Sequence, residues 1–92
     1  MIQSFKCADT LALFAGSPTP RCVNIKTVAE RKLQMLHRAT RIDDLRIPPQ
    51  NRLEKLKDNR KGAWSIRIND QWRVCFRYEE GNALDVEIVD YH

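Results

Sequence analysis

Ninety-two residues, 42% hydrophobic and 30% charged, predict one folded domain over 1–92 and exclude an intrinsically disordered chain. A domain of this size buries a modest core, which excludes a deep enclosed active site and places any chemistry on an open face that depends on a large partner. The net charge of +4 and a pI of about 9.2 suit a polyanionic partner such as nucleic acid or an anionic membrane, and equally suit a basic protein with an ordinary solvated surface.

The three cysteines, Cys7, Cys22 and Cys75, form no Cys-x-x-Cys, and the histidines are His37 and His92. A zinc site has little to build on, and reduced thiols in a cytoplasmic protein are expected. The start "MIQSFKCADT" carries Lys6 and Asp9 and no long apolar run. It does not read as a signal peptide, and no stretch is long enough to span a membrane.

In chain order, "MIQSF" alternates weakly and predicts a short strand. Asp9 is placed to cap a short helix carrying Leu11, Leu13 and Phe14, ended by Gly16, Ser17, Pro18 and Pro20. From Asn24 to Thr40 the pattern is helical. Ile25, Val28, Ala29, Leu33, Met35, Leu36 and Ala39 fall on one arc, with Glu30, Gln34, His37 and Arg38 opposite. His37 is accordingly expected on the solvated side. Asp43, Asp44, Pro48 and Pro49 break the chain into a loop. "WSIRI", "WRVCFRY" and "LDVEIV" then alternate as strands, with Trp64, Ile66 and Ile68, then Trp72, Val74, Phe76 and Tyr78, then Leu84, Val86 and Ile88 facing the core. The expected fold is α+β in the order β-α-α-β-β-β, two N-terminal helices packed on one face of a small twisted sheet.

Paired residues on neighbouring antiparallel strands share a face. A three-residue connection at Asn69-Asp70-Gln71 pairs Ile68 with Trp72 and sets Arg67 opposite Arg73, whereas a two-residue turn buries Arg73. A second three-residue connection, Glu80-Gly81-Asn82, pairs Phe76 with Val86, Val74 with Ile88, Arg77 with Asp85, Cys75 with Glu87 and Arg73 with Val89. Tyr91 then lies diagonally beside Arg73, with Asp90 and His92 at the rim. Two directly paired arginines repel, and no strand residue neutralises them. They mark either an anion site or, for Arg67, an ion pair with a loop carboxylate.

From Arg52 to Arg77 there are eight basic residues against three acidic ones, +5 in a chain of net +4. Arg52, Lys55, Arg60, Lys61 and Arg67 are therefore the expected RNA- or ribosome-binding residues. Tyr91 offers a ring for base stacking or a phenol for proton transfer.

"NRLEKLKDNRKGAWSIRINDQWRVCF" followed by "VEIVDYH" resembles the HigB toxins of bacterial type II toxin–antitoxin systems, within the RelE-like superfamily. The resemblance runs from the "MI-SF" start to the "DYH" end and implies a RelE-like fold. It also implies a ribosome-dependent mRNA endonuclease that cuts in the A site and stops translation. In this family the 2′-OH attacks its own 3′ phosphate to leave a cyclic phosphate, with neither metal nor cofactor. Arg73 matches the family arginine at the scissile phosphate, and Lys57 a basic residue assisting there. Tyr91 matches the tyrosine that stacks on or orients the nucleotide. Asp90 and His92 match the terminal pair, His92 as a proton carrier. Glu54 stands where some members have a histidine acting as general acid or base. A desolvated carboxylate can serve as a base, and Glu54 can equally be a salt bridge to Lys57. The implied partner is a HigA-like helix-turn-helix antitoxin, with operator DNA bound only through it. Two other readings stay open: a ParE-like gyrase inhibitor, and an RNA- or ribosome-binding module that does not cut.

Overall fold

The computed structural model describes residues 1–17, 19, 24–56 and 62–90. Among the described residues, two α-helices form where the apolar spacing predicts them. Helix α1 spans Ala8–Phe14, with Asp9 inside its first turn and Cys7 at the cap. Helix α2 spans Lys26–Arg38 and buries Ala29, Leu33 and Leu36. Ile25 and Ala39 flank it on the same side, while Val28 is left 37% exposed. Among the described residues no helix is long and apolar enough to cross a membrane.

Among the described residues the sheet has four antiparallel strands in sequence order: β1 Glu54–Lys55, β2 Ala63–Arg67, β3 Trp72–Glu79 and β4 Asn82–Asp90. The expected N-terminal strand is not one of them. Residues 1–6 run beside β4 through two isolated parallel bridges, Ile2–Ala83 and Phe5–Val86, and Ser4 Oγ accepts from the Asp85 amide at 2.9 Å. A bulge in β4 at this edge prevents a regular ladder. The other edge instead gains the two-residue β1, too short to leave a periodic signal in sequence.

The first hairpin has the expected register. The Ile68 amide donates to the Trp72 carbonyl at 2.9 Å, and Arg67 pairs with Arg73. Asn69 Oδ1 accepts from the Gln71 and Trp72 amides at 2.8 and 2.9 Å and closes the turn.

The second hairpin corrects the expectation. Its turn has two residues, Glu80 and Gly81, at φ 49° and 81°, with Glu79 opposite Asn82. Positive φ at both positions gives a turn whose twist matches the strands, which favours it over the three-residue connection. A Cβ on Gly81 would also meet the Thr40 carbonyl oxygen at 2.9 Å. The shorter turn slips the pairing by one, so Arg77 faces Leu84 rather than Asp85. Asp85, at φ 53°, is the extra residue that restores Cys75–Glu87, Val74–Ile88 and Arg73–Val89. Ala83 is therefore buried in place of Leu84. Arg77 Nη1 still reaches Asp85 Oδ2 at 3.4 Å.

Leu13, Leu33, Leu36 and Leu45 pack against Ile66, Val74, Phe76, Val86 and Ile88, forming one core between the helices and one face of the sheet. His37 belongs to its margin rather than to solvent. Its Nδ1 accepts from the Ile2 amide at 3.2 Å, and its ring lies 5.3 Å from that of Phe14. The N-terminal segment brings that donor, which helical spacing alone does not reveal.

Candidate functional site

The face of the sheet turned away from the helices carries the polar chemistry. The registers set Glu54, Ser65, Cys75 and Glu87 in one row, and Arg67, Arg73 and Val89 in the next. Arg73 is only 7% exposed. Its Nε donates to Ser65 Oγ at 2.8 Å, and its Nη2 donates to the Arg52 carbonyl at 2.6 Å and the Ser65 carbonyl at 3.3 Å. Glu54 Oε2 stands 3.8 Å from Nη2. A planar fork held at several acceptors has a fixed direction, the property required of an arginine that recognises phosphate.

The chain reaches Arg73 from an unusual turn. Pro49–Asn51 forms a single 3-10 turn, and Arg52 follows in the left-handed region at φ 44°, ψ 58°. A non-glycine residue there stores about 1–3 kcal/mol of strain and persists where its surroundings hold it. Asn51 is fully buried. Its Nδ2 donates to the Leu45 carbonyl at 3.1 Å, and its Oδ1 accepts from Lys32 Nζ.

Arg67 has the loop carboxylate: Nη2 pairs with Asp70 Oδ1. Asp70 is 99% exposed, so the pair is worth about 0–1 kcal/mol and gives way readily to a stronger anion. Arg52, Glu54, Arg67, Asn69, Asp70 and Arg73 line an open groove of about 310 Å³. Three arginines against two carboxylates leave the groove with a net positive charge, a character that suits an anion.

Of the site residues expected from sequence, Arg52, Glu54, Arg67 and Arg73 meet in this groove. Lys55 pairs with Trp64 and lies on the other face, its Nζ 5.8 Å from the indole centre. Asp90 pairs with Trp72 and so has the opposite parity to Arg73; its Oδ2 accepts from Gln71 Nε2 at 3.1 Å. Lys57, Arg60, Lys61, Tyr91 and His92, and with Lys57 its alternative pairing with Glu54, lie outside the described residues. Sequence reasoning missed Ser65 and Asn51 as supports. Alternation did put Ser65 on the arginine face, but no local pattern signals that the Arg52 carbonyl crosses to meet Arg73.

Residues 17–92 match the family model described as the RelE-like toxin of type II toxin–antitoxin system HigB. The chain belongs to the HigB-like toxin family. Its two helices and antiparallel sheet agree with the RelE-like α+β fold of that family, and membership implies an antitoxin as partner.

The chain is 47% identical over 62 residues to "Toxin HigB-1" of Vibrio cholerae serotype O1, a match covering 67% of this chain and 65% of that protein. It is 33% identical over 94 residues to "Endoribonuclease HigB" of Proteus vulgaris, across the full length of both. A Haemophilus influenzae protein is 43% identical over 69 residues, covering 75% of this chain and 67% of that protein.

Proposed function

We propose that this HigB-family chain is an endoribonuclease that cleaves mRNA in the ribosomal A site and thereby stops translation. The observation that carries the reading is Arg73, a buried guanidinium held by Ser65 and the Arg52 carbonyl in the lining of a basic groove. The name of the Proteus vulgaris relative, an endoribonuclease, supports the same class of reaction.

In this mechanism the 2′-oxygen forms a bond to the adjacent phosphorus as the bond from phosphorus to the 5′-oxygen breaks. The products are a 2′,3′-cyclic phosphate and a free 5′-OH. The 2′-OH proton passes to a base, and the departing 5′-oxygen takes a proton from an acid, a role suited to His92. Glu54 is either that base or only the ion-pair partner of Arg73, and Glu54→Gln separates the two roles. Arg73 balances the charge that grows on the phosphoryl oxygens, and a donor already fixed in place needs no reorganisation during reaction. Lys57 adds charge at the same phosphate, and Tyr91 stacks on a base. Acid–base transfer and charge stabilisation suffice, so the scheme is metal-independent and uses no cofactor. Asp90, which accepts from Gln71, acts in this scheme by holding the strand end from which Tyr91 and His92 follow.

Arg67, Arg52, Lys55, Arg60 and Lys61 contribute to RNA and ribosome binding, which is salt-dependent for such residues. An open groove does not align an in-line attack alone. Orientation can supply on the order of 7–11 kcal/mol of barrier reduction, and here the ribosome supplies much of it. The protein acts in the cytoplasm, and a HigA-like helix-turn-helix antitoxin neutralises it and carries it to operator DNA.

Primer extension on translating ribosomes tests the reading. Codon-phased cuts are expected, with little cutting of naked mRNA by the purified protein. Equal cutting of naked mRNA would remove the ribosome from the mechanism, and stalling without new RNA ends would remove the nuclease.

A further inference from the structure

We propose that Lys32 and Asn51 are positioning residues that set the direction of the Arg73 guanidinium through the Arg52 carbonyl. The inference rests on the reading of Arg73 as the phosphate-binding group.

Lys32 lies on the buried side of α2 and is 8% exposed. A lysine so placed is rare without a carboxylate, and among the described residues it forms no ion pair. Its ammonium donates to Asn51 Oδ1. Burial, with the neighbouring charges of Arg31 and Arg67, holds its pKa below the ordinary lysine value. An apolar residue would fill this place without that penalty, so the ammonium needs a reason beyond core packing.

Asn51 supplies the reason. Its Oδ1 faces Lys32, while its Nδ2 donates to the Leu45 carbonyl at 3.1 Å and lies 3.0 Å from Met35 Sδ. Both ends of the amide are thus committed and its plane is fixed. Asn51 closes the 3-10 turn, and the next residue is Arg52, left-handed at φ 44°. That conformation aims the Arg52 carbonyl at Arg73 Nη2, 2.6 Å away. One line of contacts therefore runs from α2 through Lys32, Asn51 and Arg52 to the groove, and Lys32 lines no part of the groove itself.

The test uses the full chain with Lys32→Met, which keeps the stem and removes the donor, and Lys32→Gln, which keeps an amide donor on a shorter stem. Single-turnover cleavage on translating ribosomes should fall about 10- to 100-fold in Lys32→Met, the range for supports of a reacting group, with ribosome affinity unchanged. Lys32→Gln should recover part of the rate. In an Arg73→Ala background Lys32→Met should cost no further rate, because its effect passes through that side chain. A loss of overall folding alone would not give this non-additivity.

A second readout needs no activity. The Nε–H of Arg73, bonded to Ser65 Oγ, should exchange slowly with solvent in ¹⁵N-arginine-labelled wild type and quickly in folded Lys32→Met. Wild-type rate and wild-type protection in folded Lys32→Met would overturn the inference. Loss of protection with a wild-type cleavage rate, or full cleavage by Arg73→Ala, would instead overturn the role given to Arg73 in the proposed mechanism.

Discussion

Replacing Arg73 with alanine separates catalysis from stability, and the structure sets both magnitudes. The side chain is 9% exposed and donates to Ser65 Oγ, the Ser65 carbonyl and the Arg52 carbonyl. Ser65 is fully buried, so removing the guanidinium leaves buried acceptors unsatisfied at about 1–3 kcal/mol. Relief of repulsion with Arg67, its partner across the ladder, offsets part of this. A domain of this size loses about 4–8 °C in Tm per kcal/mol, a shift visible by circular dichroism in a protein that still folds. The rate should suffer more. Losing a fixed charge stabiliser at a developing anion costs on the order of 10²–10³, so growth arrest should disappear at temperatures where the variant remains folded. Arg73→Lys keeps the charge but loses the fork and should recover only part of the activity. The assay is primer extension on translating ribosomes beside a thermal melt of the same sample. A folded Arg73→Ala protein that cuts mRNA at the wild-type rate would refute the reasoning and move the site elsewhere.

Glu54 is 57% exposed and 3.8 Å from Arg73, an ion pair worth about 0–1 kcal/mol. Glu54→Gln should therefore bind ribosomes and keep most of its cleavage rate, while a steep loss of cleavage with binding intact would assign it as the base. Deleting Tyr91 and His92 should abolish cleavage and shift Tm little, because Ala83, Val86 and Ile88, the core residues of β4, lie upstream. Tyr91→Phe then divides ring from phenol: retained cutting assigns stacking, worth about 1–3 kcal/mol per base. Asp44 accepts from the Thr40 and Arg41 amides at 3.0 and 3.2 Å, and these bonds, the Thr40 amide foremost, hold its pKa below the ordinary 3.8. Its folded value lies below the unfolded one, so its contribution is complete above about pH 4 and is lost as pH falls through the folded value. Asp44→Asn should flatten the acid limb of a stability–pH curve below pH 4, and an unchanged limb would count against the assignment.

The sequence by itself determined what local rules govern. Helix α2 follows from apolar spacing, and the pairing of Arg67 with Arg73 follows from strand parity across a single connection. The ordered blocks of residues gave the family, and with it an expectation for Glu54 that no periodicity suggests. Parity was insufficient at the second hairpin because two devices cancel there. The tight turn at Glu80-Gly81 slips the ladder by one and the bulge at Asp85 slips it back, so the far end pairs as expected while Ala83 replaces Leu84 in the core. Tertiary structure alone decided the partners that come from distant segments. The N-terminal segment reaches His37, and Arg52 turns its carbonyl onto Arg73, which converts a strand arginine expected to be open into a buried, oriented one. Alternation assigns a side chain to a face, but what covers that face depends on the path of another part of the chain, and that path is set by the packing of the whole core.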